Sequence, residues 1–399
     1  MRAIPTDRRR SGKPAKSESA KHSLERSSTS AHISRMSKSK DTATQDPQHD
    51  HDPALLTKRP LTDPTTLLRY RDGLYAVDLL SCAITEFDFF TWLSDNPSDL
   101  DAICAHFDFA RRPADVLLTL LLSNQYVRRD AVGEFRLSRL GREHLDTRSP
   151  WSLAPYYASL KDRPIAQDFA KVLKTGKPAN WSGHDNADAD WHGAMENEEF
   201  ANAFTAAMNC RGLFLGKVLA DTMTEDLSKR SRVLDIGGGS GIYACSLVKN
   251  HPHLLATVLE QPPVDAIARK TVEGYLLTEQ IGIHSGNMFH GEDWPRDCDV
   301  HLFSNVLHDW DFPEIEQLLA RSHEALPDGG MIAVHETFLH ANKVGPLPVA
   351  EYSCILMHST QGRCYSSEEI FEKLLAAGFS DPSHRDTAGD RGVIVAHKT

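Results

Sequence analysis

Apolar and polar positions change rhythm three times along this chain. In residues 1–60, isolated apolar side chains such as Ile4, Leu24 and Ile33 stand among Ser, Lys, Arg, Thr, Asp and His without any period. Such a stretch buries too little surface to offset its ordering entropy, so a disordered leader is expected. From about residue 62 helical spacing takes over, and 101–107 and 112–122 read as two helices joined by a short turn. Residues 126–129 and 134–137 then alternate around Gly133 as a hairpin. Two helices and a hairpin make a helix-turn-helix with a wing, a shape able to bind DNA. The second helix, however, carries leucines all round instead of a basic exposed face, which predicts burial in a subunit interface and hence a homodimer. Residues 151–228 continue as helices bearing Trp151, Tyr156, Tyr157, Trp181, Trp191, Phe200, Phe204 and Met208. At helical spacing these read either as core or as the lining of an apolar acceptor pocket. From there strands and helices alternate, the signature of a parallel sheet covered on both faces. The fold class is therefore α/β, preceded by a mainly helical winged-helix domain. The expected division is a leader at 1–60, a winged-helix-like dimerisation domain at 61–150, a helical linker and pocket region at 151–228, and a sheet domain at 229–399.

Charge and composition remove several function classes. The net charge of −11 is uneven: residues 1–40 carry eleven Lys or Arg against Asp7, Glu18 and Glu25, which leaves the remainder near −19. An acidic body repels a polyphosphate backbone, so no nucleic-acid partner is expected. No window approaches the ~18–20 uninterrupted apolar residues of a membrane helix, so no membrane partner is expected either. Seven cysteines without a C-x-x-C spacing argue against a disulfide framework and a zinc ribbon, and point to a reducing, cytoplasmic setting. The Arg- and Ser-rich start also fits an organelle transit peptide, but it lacks a clear amphipathic helix, and Met36 offers an alternative initiator. The run His49-Asp50-His51-Asp52 reads as solvated charge before it reads as a metal site.

The chemistry concentrates after residue 231. Arg232–Ile236 is a short apolar strand that runs into Gly237-Gly238-Gly239-Ser240-Gly241, and a helix opens at Ile242. Glycines there let the backbone take left-handed angles and let a ligand approach the main chain, while the helix N-terminus adds partial positive charge. A second strand at 255–259 ends in Glu260, about 25 residues after Asp235, where a carboxylate can accept both hydroxyl protons of a ribose. The turn lacks the G-x-G-x-x-G spacing of a dinucleotide site and has an acid two residues before its first glycine. That arrangement suits a nucleoside joined to an amino acid, and sets aside a dehydrogenase.

These residues, with Gly286-Asn287-Met288-Phe289, Leu307-His308-Asp309-Trp310 and Ala377-Gly378-Phe379, resemble the S-adenosylmethionine-dependent small-molecule methyltransferases of the caffeate and acetylserotonin O-methyltransferase type. The resemblance covers residues 65–399. It implies a class I, Rossmann-like methyltransferase domain of seven strands, one of them antiparallel, with 393–396 as the last strand, behind a winged-helix domain that dimerises. It also implies S-adenosylmethionine as cofactor and a secondary-metabolite acceptor. Carried over residue by residue, Asp235, Gly237 and Gly239 would line the methionine part of the cofactor and Glu260 would hold the ribose. Asn287, where the family mostly has Asp, would meet the adenine amino group; Met288 and Phe289 would flank the ring, with Ser304 and Trp310 nearby.

Methyl transfer to a hydroxyl needs a base, and a histidine that is neutral near pH 7 accepts a phenolic proton as the methyl group is transferred. In the resemblance that base is His308, oriented by carboxylates. Glu336, after a strand at 331–335, supplies one; at the second expected place stands Cys364. The missing acid keeps a second version open, in which His308, Asp309 and His358 hold iron or zinc and an α-keto acid is methylated at carbon. A third version is a non-catalytic regulator that keeps the nucleoside site. Arg128, Arg129, Arg211 and Arg363 are candidates for pairing a substrate carboxylate, or are surface charges.

Overall fold

The computed structural model describes residues 51–179, 194, 195 and 197–399. Its N-terminal half holds the two expected helices, α1 (Leu100–Phe107) and α2 (Arg111–Ser123). Asp99 caps the first by accepting the Ala102 amide, and Asp108 ends it in the left-handed region. The hairpin strands β1 (Val127–Arg129) and β2 (Phe135–Leu137) pair antiparallel about Gly133, whose φ of +94° only glycine takes easily.

Helix α2 corrects an expectation. Its leucines are buried inside their own chain, packed between α1 and a later helix, Leu347–Ser359, so its apolar girdle reflects intramolecular burial instead of a partner subunit. The leader also ends earlier than residue 60. Leu56 sits fully buried in the core beneath the sheet, its carbonyl accepts from Asn250, and Arg59 pairs with Asp221 at 2.6 Å. His51, from the His-Asp run, packs edge-on against Tyr275; His49, Asp50 and Met36 lie outside the described residues, as do Trp181 and Trp191.

Helix α3 (Pro164–Thr175) and the long α4 (Glu198–Thr222) lead into the sheet, built from β3 (Arg232–Ile236), β4 (Leu255–Glu260), β5 (Ile281–Ser285), β6 (Val300–Ser304), β7 (Met331–Glu336), β10 (Phe379–Asp386) and β11 (Gly392–Lys398). The order across it is β10-β11-β7-β6-β3-β4-β5. β3 to β7 run parallel, while β11 is antiparallel to both its neighbours. This is the seven-stranded class I order with its single reversed strand. A separate short pair joins β8 (Phe338–Leu339) to β9 (Tyr365–Ser366).

Side chains of β3 alternate between two buried layers. Val233 joins the layer formed by α4 and α5 (Ile242–Asn250), while Leu234 and Ile236 join the opposite layer with α7 (Phe312–Ala325) and α9 (Ser367–Ala376). Between them in chain order, α6 (Val264–Gly274) follows β4, and α8 (Leu347–Ser359) is the helix that meets α2. The ends of β3, β4, β5 and β6 open on one side into a cavity of about 610 Å³, the place where a doubly wound sheet presents its ligands. Among the described residues no helix is long and apolar enough to cross a membrane.

Candidate active site

One half of the cavity is built from the glycine turn. Gly237, Gly239 and Gly241 all have positive φ, between +59° and +75°, and a Cβ on Gly239 would project into open space. That space is where a ligand can reach the main chain. Glu260, at the end of β4, accepts the Gly239 amide on one oxygen (3.1 Å) and the Gln261 amide on the other (2.8 Å), keeping further lone pairs for the cavity it lines. Burial pushes its acid up to about 7, against the pull of those two amides.

Asn287, Met288 and Phe289 follow β5 along the same wall. The Asn287 carboxamide oxygen accepts the Phe289 amide and shapes the turn, and Phe289 meets Trp310 edge-on at 4.6 Å. A carboxylate for a diol, apolar faces for a flat base and glycines for close approach fit an adenosine, so these residues would hold S-adenosylmethionine. Asp235 is placed differently from the lining role carried over to it. It is absent from the cavity wall and lies under the turn, where a Cβ on Gly238 would strike it at 2.7 Å. Burial pushes its acid up to about 7, with only the Ala244 amide opposing.

The other half is the loop after β6. Ser304 ends the strand with its hydroxyl 2.8 Å from His335 Nδ1, and Asn305 turns the chain with φ +55°. The tight turn Leu307–Asp309 follows. Glu336, at the end of β7, accepts the Val306 and Leu307 amides on Oε1 and holds His308 Nδ1 at 2.5 Å with Oε2. The carboxylate thus fixes both the loop backbone and the ring. Burial alone would lower the basicity of His308, but the charges of Glu336 and Asp309 and the hydrogen bond outweigh it, and its pKa is raised. Asp309, 3.7 Å from Nε2, is itself raised to about 6 by burial. Gly362 lies against this turn so closely that a Cβ would fall 2.1 Å from the His308 carbonyl oxygen. Arg112 of α2 donates to the Gly362 carbonyl at 2.7 Å, so the helical half braces the loop from behind.

A family model for the O-methyltransferase domain matches residues 169–380, over half of the chain. The chain belongs to the O-methyltransferase family. It is an S-adenosylmethionine-dependent O-methyltransferase acting on a small molecule. It is 27% identical over 338 residues to the tetracenomycin polyketide synthesis 8-O-methyl transferase TcmO of Streptomyces glaucescens, covering 84% of this chain and 97% of that one. It is 28% identical to the 3-hydroxy-5-methyl-1-naphthoate 3-O-methyltransferase of Streptomyces sahachiroi, covering 80% and 90%. The crystal structure of an O-methyltransferase family 2 protein from Planctomyces limnophilus in complex with apigenin superposes with a TM-score of 0.77 at 28% identity, covering 86% and 98%. The reading as a non-catalytic regulator falls with the family.

In this O-methyltransferase the structure brings together Gly237, Gly239, Glu260, Asn287, Met288, Phe289, Ser304, His308 and Trp310 around one cavity, with Glu336 directly behind His308. It does not assemble the metal set. His358 is absent from the wall: its Nε2 lies 3.4 Å from Asp168 on α3, and its ring meets Tyr75 and Phe169 edge-on. Helical phase turns His358 into the N-terminal core, while Ser359 and Thr360 face the cavity. Among the described residues no three His, Cys, Asp or Glu side chains gather as metal ligands. Cys364 is buried 3.2 Å from the Thr337 hydroxyl, its thiol pushed up to about 12 by burial. A thiol held neutral in this way lends His308 no charge.

Proposed function

We propose that this O-methyltransferase methylates a phenolic or enolic hydroxyl, with His308 as general base and Glu336 as its positioning residue. The observation that carries this is the 2.5 Å contact of Glu336 with His308 Nδ1, which assigns the proton to Nδ1 and leaves Nε2 for an acceptor hydroxyl. S-adenosylmethionine supplies a methyl group activated by its cationic sulfur. The protein's own part is to hold the acceptor oxygen in line, take its proton on Nε2, and stabilise the resulting imidazolium through Glu336. Phe204, Met208, Ile355 and Leu356 give the acceptor end an apolar wall suited to a flat ring. The naphthoate named for one relative and the apigenin in the related crystal structure are ring compounds of that shape.

The test is product analysis. After exhaustive dialysis against chelator, the protein with S-adenosylmethionine and a set of naphthols and flavones should still release S-adenosylhomocysteine and an O-methyl ether, identified by NMR. A C-methyl product, or activity that returns only with added iron or zinc, would overturn the reading.

We further propose that the protein is a cytoplasmic homodimer. Leu67, Tyr70, Leu74, Trp151 and Tyr156 of the helical half are exposed, Tyr70 by 91%, apolar groups that a partner subunit would cover. Light scattering should report twice the chain mass; a monomer at micromolar concentration would refute the pairing.

A further inference from the structure

The four arginines named as possible carboxylate partners have separate fates. Arg128 and Arg129 lie exposed on β1. Arg363 is buried between Asp115 at 3.1 Å and Glu369 at 2.9 Å. Arg211, on α4, lines the cavity with His308, Asp309 and Tyr352.

Arg211 faces the cavity and, among the described residues, makes no ion pair with a carboxylate. Two other inward arginines turn away from the cavity to protein acceptors: Arg112 donates to the Gly362 and Gly176 carbonyls, and Arg391 to the Asn305 side chain and the Gly389 carbonyl. Arg211 has the hydroxyls of Tyr352 and Tyr243 beside it and weaker attractions to Asp72 and Asp309. Burial disfavours its charge, but the two tyrosines and Asp72 outweigh that and keep the guanidinium charged at the cavity wall, where it can meet a bound anion. Its planar fork matches a carboxylate in two parallel hydrogen bonds.

We propose that Arg211 is the carboxylate-binding residue of this cavity. The inference rests on the reading that the cavity holds S-adenosylmethionine and an acceptor together, and that reading offers two carboxylates. Tyr243 lies in the first turn of the helix after the glycine turn, so it marks the side where the amino-acid end of the cofactor would lie. Tyr352, whose ring meets His308 edge-on at 5.8 Å, marks the side of the acceptor. Arg211 stands between the two.

Calorimetric titrations of the wild type, Arg211→Lys and Arg211→Met decide it with matched ligands. S-adenosylhomocysteine is compared with 5′-methylthioadenosine, which lacks the amino acid. In protein saturated with S-adenosylhomocysteine, 3-hydroxy-2-naphthoate is compared with 2-naphthol. Arg211→Met should lose about tenfold or more in affinity for one carboxylate ligand, leaving its carboxylate-free counterpart unchanged, and Arg211→Lys should keep part of it. Loss confined to S-adenosylhomocysteine assigns the cofactor's carboxylate, and loss confined to the naphthoate assigns the acceptor's. Unchanged affinity for both acids overturns the proposal, as does an equal loss for methylthioadenosine, which would make Arg211 a packing residue. Binding of methylthioadenosine to the wild type checks the nucleoside site separately, so failure of that site and failure of Arg211 are told apart.

Discussion

His308→Ala should lower kcat by about a hundred- to ten-thousand-fold, the span that a positioned general base contributes, and leave the affinity for S-adenosylhomocysteine within about twofold. The two effects separate because His308 belongs to the loop after β6, whereas the nucleoside wall is built from the ends of β3, β4 and β5. The pH profile gives an independent reading. A base acts only when neutral, and Glu336 and Asp309 hold the His308 pKa above its ordinary value, so the rate of the wild type should climb through a limb lying above pH 6.5. Glu336→Gln removes the largest favourable charge, so the limb should move to lower pH while the maximal rate falls. Full activity in His308→Ala would sink the assignment. An unmoved limb in Glu336→Gln would show that some other group titrates.

The second large effect is on the cofactor. Glu260→Ala should weaken S-adenosylhomocysteine by about a hundredfold, since two hydrogen bonds to a charged acceptor are lost and the Gly239 amide is left without its partner. The sign of the pH dependence follows from burial. With its acid raised to about 7, Glu260 is increasingly protonated below neutrality, and a protonated carboxyl accepts poorly from a ribose diol. Affinity should therefore fall by up to about tenfold for each pH unit below 7. Glu260→Gln should flatten that slope. A slope that survives in Glu260→Gln would belong to Asp235, which is raised to about the same value under the same turn.

The glycine-turn half of the cavity was legible in the sequence because its signals are local. The strand 232–236, the glycine turn and the helix opening at Ile242 are contiguous, and each glycine has a stereochemical reason to be there. The contact of His308 with Glu336 spans 28 residues, and only the family pattern foretold it. Features decided by what covers a surface were not legible. The leucines of α2 announce burial without naming the neighbour. Strand β10 carries Ser, Asp, Pro, His and Arg at the sheet edge, so it shows no apolar alternation at all. His358 and Arg211 depended on helical phase, where a step of one residue turns a side chain by about 100° and decides between cavity and core.

Helix α8 belongs to two cores at once. Cys354 and Met357 complete the apolar cluster of the helical half, while Tyr352, Ile355 and Leu356 face the cavity. Lys343, just before it, bridges Asp115 of α2 and Glu369 of α9 at 2.8 Å each. A cut near residue 229, natural on paper, therefore does not yield interchangeable cassettes. Grafting the helical half of one family member onto the sheet of another would put foreign side chains against α8 and the carbonyl of Gly362, and so disturb the base while meaning only to change the acceptor. Recombination in this scaffold should carry residues 343–369 along with the N-terminal half.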